Sequence, residues 1–208
     1  MSQSTFDKLV VARIWESIQP IDRGERYEDP LQEALEQKGL GEVTGGGTQL
    51  GEKGEIEFAD VEIMLADLNG AVEFTRIALE GLGAPAGSEL LIEGPDGEKS
   101  IPFGVAQGVG IYLDGINLPQ EVYEQSDLND LAGQLTAALQ KHGGGEIRGC
   151  WSGAEETALY IYGKDADAIY TAIEPVLNSY PLCQNARVVV NIGNPKLARR
   201  ALRVARRE

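Results

Sequence analysis

The chain contains little of what most catalytic sites are made from. It has one histidine and two cysteines in 208 residues. These are too few for most nucleophile–histidine pairs and for most zinc sites. Two cysteines are also too few for a disulfide framework at this length, which predicts a reducing cytoplasm. Calcium-loop and phosphate-loop motifs are missing as well. We therefore expect no metal, no cofactor and no catalytic residue.

Long apolar runs and basic residues are scarce too. No apolar run reaches the roughly 18 residues of a membrane span, and the N-terminus lacks the basic-then-apolar order of a secretory signal. Lysine and arginine number 18 against 33 acidic residues, which gives a net charge of −15. Such a surface repels nucleic acid and anionic lipid and attracts basic partners, although solubility alone would also account for it. We expect a cytoplasmic protein whose main body binds no nucleic acid.

The chain does contain an internal repeat. At a constant offset of 104, eight positions recur without a gap, seven of them identical and one a Val/Ile exchange. They are Leu31, Ala34, Leu35, Gly39, Gly41, Glu42, Val43 and Gly45, matched by Leu135, Ala138, Leu139, Gly143, Gly145, Glu146, Ile147 and Gly149. A match of this density indicates a duplication, and it predicts that the leucines of both copies occupy equivalent core positions.

Hydrophobic periodicity predicts the order strand, helix, strand, strand, helix, strand in each half. The first half is predicted as strands 9–18, 42–50, 56–65 and 89–93, with helices 29–38 and 68–82. Asp29 and Pro30 have the pattern of a helix start and Gly39 that of a helix end. A change of phase within 56–65 predicts a bulge or a longer loop near Ala59 and Asp60. The second half is predicted as strands 104–113, 146–152, 157–162 and 187–192, with helices after Asp127 and Asp165.

This order resembles the ferredoxin-like split βαβ fold, in which two helices cover one face of a four-stranded antiparallel sheet. The resemblance spans residues 8–95 and 101–195 and implies no activity by itself. We expect an α+β protein with two tandem ferredoxin-like βαββαβ units, residues 1–97 and 98–195, packed as a pseudo-dimer. Pairing of the two units, edge to edge or face to face, would cover the bare face of each sheet.

Two segments are candidate partner- or ligand-binding sites. One is the glycine-rich run Gly45, Gly46, Gly47 and Thr48, where bare backbone is open to a ligand or a partner chain. The alternative for this run is a bulge or a close backbone approach within the fold. The other is the charged stretch Glu25, Arg26, Tyr27 and Glu28, a recognition loop or a set of self-paired, solvated charges.

His142 and Cys150 are not predicted to be catalytic. In the repeat His142 corresponds to Lys38, and both precede a helix-ending glycine, where a cation complements the helix dipole. Cys150 corresponds to Gly46, so the thiol has no counterpart in the first half.

The C-terminal segment differs in charge from the rest. Residues 196–208 hold six of the eighteen basic residues and one acidic residue. Their apolar positions predict a basic amphipathic helix. We expect this tail to dock on the chain's own acidic surface, although such a helix also suits RNA or anionic membrane.

Three classes of function remain. The first is a non-catalytic acidic binding protein for a basic protein partner, similar in general character to the bacterial immunity proteins that neutralise basic toxins. The second is a regulatory protein that senses a small molecule bound between its two units. An enzyme is the third and is disfavoured, because no triad, metal set or cofactor motif is present.

Overall fold

The computed structural model of the chain describes residues 6–95, 97–142 and 144–205. It divides into two compact units. The first comprises the residues up to Glu52 together with Ile56–Val105, and the second comprises Lys53–Glu55 and the residues from Ala106 onward. None of the helices among the described residues is long and apolar enough to cross a membrane.

The first unit is a five-stranded antiparallel sheet with helices on one face. Its elements are β1 Lys8–Ile14, α1 Pro20–Arg23, a π-helical turn Gly24–Glu28, α2 Asp29–Lys38, β2 Gly41–Leu50, β3 Ile56–Leu65, α3 Gly70–Gly81, β4 Ser88–Gly94 and β5 Gly97–Phe103. The strands lie in the order β2-β3-β1-β4-β5.

The second unit repeats this architecture. Its elements are β6 Gln107–Asp114, α4 Gln120–Gln125, α5 Leu128–His142, β7 Glu146–Ser152, β8 Glu156–Gly163, α6 Ala166–Ser179, a 3-10 turn Pro181–Cys183, β9 Arg187–Ile192 and β10 Arg200–Arg203. The strand order, β7-β8-β6-β9-β10, corresponds strand by strand to that of the first unit. The prediction of two tandem ferredoxin-like βαββαβ units is confirmed, and each has an additional edge strand.

The duplicated leucines lie in the two cores as predicted. Leu31, Leu35 and Leu135 are fully buried and Leu139 is 1% exposed. In both units the strand after these leucines contains one residue that is left out of the pairing with the neighbouring strand. The shift in register falls between Val43 and Gly45 in β2 and between Ile147 and Gly149 in β7. The shared bulge is a second structural mark of the duplication.

The bulge or longer loop predicted near Ala59 and Asp60 is wrong. Pairing of β3 is continuous there, and its register shift falls opposite Gln49 and Leu50 instead. The change of phase arises because Phe58 lies on the sheet face away from the helices, where its ring packs edge-on against Trp15 at 5.0 Å.

Helix α2 begins at Asp29 and ends before Gly39, as predicted, but Asp29 is not the cap of a free helix end, because helical structure precedes it. The helical segment begins at Pro20, whose missing N–H costs nothing in a first turn. Pro30 then lies inside continuous helical structure, where it lacks a hydrogen bond and crowds the preceding turn. The chain adapts through the π-helical turn Gly24–Glu28, in which the Asp29 N–H donates to the Gly24 carbonyl.

The C-terminal helix predicted for residues 196–208 is replaced, within the described residues, by strand β10. It pairs with β9 and places Leu202 opposite Val188. Leu202 and Val204 are partly buried against the core of the second unit, with a spacing of two. A short isolated helix is marginal in water, whereas the free edge of β9 offers a hydrogen-bond ladder.

Candidate functional site

The two predicted binding segments lie against each other, and Arg23 joins them. Arg23, buried at 8% exposure, donates from Nη1 to the Gly47 carbonyl at 2.7 Å and to the Thr48 hydroxyl at 3.0 Å. Its Nε donates to Glu28 at 2.6 Å. Arg23 therefore fastens the helical segment to β2, which is an edge strand.

Gly46 provides the space for this contact. A Cβ at this position would lie 2.6 Å from the Asp60 carbonyl oxygen and 2.7 Å from the Glu28 carboxylate. A Cβ at Gly47 would meet nothing within 4 Å. The close backbone approach considered for this run is thus present at Gly46, and it serves a contact inside the first unit.

The charged stretch is divided between interior and surface. Tyr27 is fully buried and its hydroxyl donates to the buried Glu16 carboxylate. Arg26 and Glu28 are partly buried, and Glu25 is exposed to solvent. Arg23 belongs to the same charged stretch in the sequence, but its contact with β2 was not predicted.

A groove lies elsewhere, on the face of the first sheet away from the helices. Its volume is about 290 Å³. Apolar side chains of β1, β4 and the segment before α3 line its floor: Leu9, Val11, Leu68 and Leu91. Leu9 is 48% exposed and Leu68 is 41% exposed. This is therefore an open apolar surface bounded by charges.

The charges that line the groove are mainly negative, and we call the site the acidic groove. Four carboxylates face two cations: Asp7, Asp60, Glu93 and Glu98 against Lys8 and Arg13. Arg13 donates to both oxygens of Asp60, at 3.0 and 2.8 Å. The Asp7 carboxylate lies 3.2 Å from the Lys8 ammonium. Both cations are thus already paired.

Arg13 is held firmly as a cation. Its hydrogen bond to Asp60 raises its pKa, burial opposes that effect, and the negative charges of Asp60, Glu98 and Glu89 raise the pKa further. The guanidinium also lies 4.2 Å from the centre of the Phe58 ring. Arg13 is consequently a fixed part of the groove wall.

Glu93 and Glu98 form an unfavourable cross-strand pair. They lie directly opposite each other on β4 and β5. Like charges in this position destabilise a sheet. Neither carboxylate makes a hydrogen bond or an ion pair with another described residue. A cation brought by a partner would relieve this repulsion.

The net charge is distributed unevenly between the units. The first unit has 20 acidic and 7 basic residues, a net charge of −13, whereas the second has 13 and 11, a net charge of −2. The acidic groove therefore lies in the unit that carries almost all of the net negative charge.

The groove offers charged and apolar side chains. Within residues 6–95, 97–142 and 144–205, no group of three His, Cys, Asp or Glu side chains could hold a metal ion. His142 is the last residue of α5, and Cys150 is exposed on β7.

Comparisons with known proteins give distant structural similarity. No model of a protein family and no curated protein matches this sequence. Similar solved structures include an unknown protein from Galdieria sulphuraria, 14% identical over 95% of this chain and 99% of that chain, TM-score 0.27. The ligand-free regulatory subunit of aspartate kinase from Thermus thermophilus is 16% identical over 82% and 93%, TM-score 0.26. A candidate monooxygenase from Fusobacterium nucleatum is 13% identical over 95% and 97%, TM-score 0.31.

Proposed function

We propose that this chain is a non-catalytic binding protein whose acidic groove receives lysine or arginine side chains of a basic protein partner. The observation that carries the proposal is the cross-strand pair Glu93 and Glu98, two carboxylates that make no hydrogen bond or ion pair with another described residue and lie beside an exposed apolar floor. Such a pair costs stability in the free protein. A bound cation removes the repulsion between the two carboxylates, so the complex is stabilised relative to the free protein.

Arginine and lysine match both halves of the groove. The charged end of the partner's side chain lies between Glu93 and Glu98, and its aliphatic stem packs on Leu9 and Leu91. The net charge of −13 on the first unit speeds the encounter with a basic surface. Charge of this kind acts mainly on the association rate and on selection of the partner.

More specifically, we propose that the protein is an immunity-type inhibitor. Such an acidic chain neutralises a basic protein by covering its cationic surface. Glu25, exposed beside the Arg23 contact, adds to the negative field. The run Gly45–Thr48 and the buried Tyr27 act indirectly, by fixing β2 and the helices. Within the basic tail, Arg200–Arg203 pair with β9 of their own unit.

The test is the affinity for a labelled oligo-arginine peptide, measured by fluorescence anisotropy at about 0.1 M salt. We expect the E93Q/E98Q variant to bind at least about tenfold more weakly, a loss of about 1.4 kcal/mol. The matched control is E33Q/E36Q, which removes the same charge from the exposed side of α2. Equal losses in the two variants would contradict the proposal, because a diffuse field would then explain the binding.

A small cationic ligand is the second candidate occupant. The groove volume of about 290 Å³ lies at the lower end of the range of small-molecule sites. Salt separates the two candidates. Affinity for a multiply charged protein surface should fall steeply as salt rises, whereas affinity for a singly charged ligand should change little.

A further inference from the structure

The last two strands of each sheet occupy equivalent places. β4 and β5 form one edge of the first sheet, and β9 and β10 form the same edge of the second. The pairing registers align the two edges: Leu90 pairs with Ile101 in the first unit as Val188 pairs with Leu202 in the second.

The charges at these aligned positions are opposite. Counted from the aligned pairs, Glu89 of the first unit corresponds to Arg187 of the second, and Glu98 corresponds to Arg199. At these two positions the backbone arrangement is shared, but the first unit has carboxylates where the second has guanidinium groups. The two units therefore present edges of complementary charge.

We call Arg187, Arg199 and Arg203 the basic edge. The Arg187 guanidinium lies 3.8 Å from the centre of the Tyr112 ring, on the sheet face away from the helices. Arg199 and Arg203 are exposed. Arg203 makes no hydrogen bond or ion pair with another described residue. Arg187 donates to the Glu156 carboxylate at 3.0 Å, and Arg199 donates to the Gly193 carbonyl. The exposed Arg203 and the remaining donors of Arg199 are therefore the groups available to a carboxylate on another molecule.

Electrostatic attraction and repulsion favour some contacts between two copies of the chain over others. Two acidic grooves placed together would bring carboxylates against carboxylates, and two basic edges would bring arginines together. The groove of one copy against the basic edge of another gives unlike charges. Pro102 in β5 has no N–H to donate to an added strand, so this contact uses side chains instead of an extended sheet.

We propose that the acidic groove, when no other partner is bound, is occupied by the basic edge of a second copy of this chain. Arg199 and Arg203 of one copy then lie against Glu93 and Glu98 of the other. This inference rests on the proposed function, since both use the same groove, and it adds regulation. Self-association masks the groove at high protein concentration, and dilution, salt or a basic partner frees it.

Sedimentation velocity of the full chain at about 0.05 M salt tests the inference. We expect the mean mass of the wild type to rise with concentration and to return to the monomer value at about 0.5 M salt. The R199E/R203E variant should remain monomeric. The control K141E/K164E reverses two exposed charges elsewhere in the second unit and should associate like the wild type.

A charge exchange makes the test specific for the pairing. The E93K/E98K variant should be monomeric alone, as should R199E/R203E, and an equimolar mixture of the two should associate again. A monomeric wild type at every concentration would overturn the inference. Association that persists in R199E/R203E, or a mixture of correctly folded variants that stays monomeric, would overturn it equally.

The outcome is separable from that of the proposed function. R199E/R203E keeps the groove intact, so it should bind the labelled oligo-arginine peptide at least as tightly as the wild type. If the wild type is monomeric and the peptide still binds in the groove, only self-association is wrong. If R199E/R203E, with an unchanged circular dichroism spectrum, fails to bind the peptide, the proposed function is wrong.

Discussion

Arg23 shows what a single side chain does in this fold and why sequence alone could not assign it. Its partners, Glu28, Gly47 and Thr48, lie up to 25 residues away. Long-range contacts of this kind leave no periodic signal. The buried leucines were predictable, because a duplicated pattern at helical spacing requires a common core. The glycine-rich run was recognised as unusual, but its role emerges only with Arg23 in place.

Gly46 and Gly47 offer a matched pair of substitutions. We expect G46A to lower the free energy of unfolding by about 1–3 kcal/mol, because the new methyl group meets backbone and a fixed carboxylate. G47A adds its methyl in open space and should change stability little. Urea denaturation of both variants measures the difference. Equal effects would show that Gly46 is not closely packed.

The duplicated leucines give a second comparison. L35A and L139A should each cost about 2–5 kcal/mol, since both side chains are buried in equivalent cores. I21A provides the control, because Ile21 is 77% exposed. Hydrogen exchange should locate each loss in its own unit. A cost below about 1 kcal/mol for either leucine would contradict the shared core position.

The elements were predicted well where apolar residues alternate and poorly where they do not. β3 and β9 span their predicted ranges, because alternate residues of each strand are buried. β7 also spans its predicted range, although none of its residues is fully buried. β5 was missed because Glu98, Lys99 and Ser100 are exposed and give no apolar alternation. β10 was assigned as a helix because its apolar residues also fit a helical stripe.

Removal of the tail tests the role of β10. Deleting residues 196–208 should speed amide exchange in β9 and lower stability by about 1–3 kcal/mol, because a ladder and the partly buried Leu202 and Val204 are lost. The control R203Q keeps the strand and should leave exchange in β9 unchanged. Unaltered exchange after the deletion would mean that β10 does not pair stably in solution.

At the scale of the whole molecule, the duplication has produced two units of similar fold and unlike charge. Composition gives only the total charge, and its division appears when the charges are counted unit by unit. The bare sheet face was expected from the fold, whereas the location of the acidic groove required the registers of β1, β4 and β5. Fold class was thus readable from pattern, and the site was not.

The charge division predicts a salt effect that differs between the units. Raising salt from about 0.05 to 0.5 M should protect core amides of β1 more than those of β6, because screening relieves self-repulsion mainly in the unit of net charge −13. Native-state hydrogen exchange at the two salt concentrations measures this. Equal protection of β1 and β6 would contradict the expected effect of the uneven charge.

The central claim is that the acidic groove is where a basic partner binds. Chemical-shift mapping of the labelled R199E/R203E variant, titrated with oligo-arginine peptide, tests it most directly because the variant's own edge does not compete. The account predicts that the largest shifts cluster at Leu9, Leu91, Glu93 and Glu98. Shifts centred on the outer side of α2 or on the second unit would contradict it.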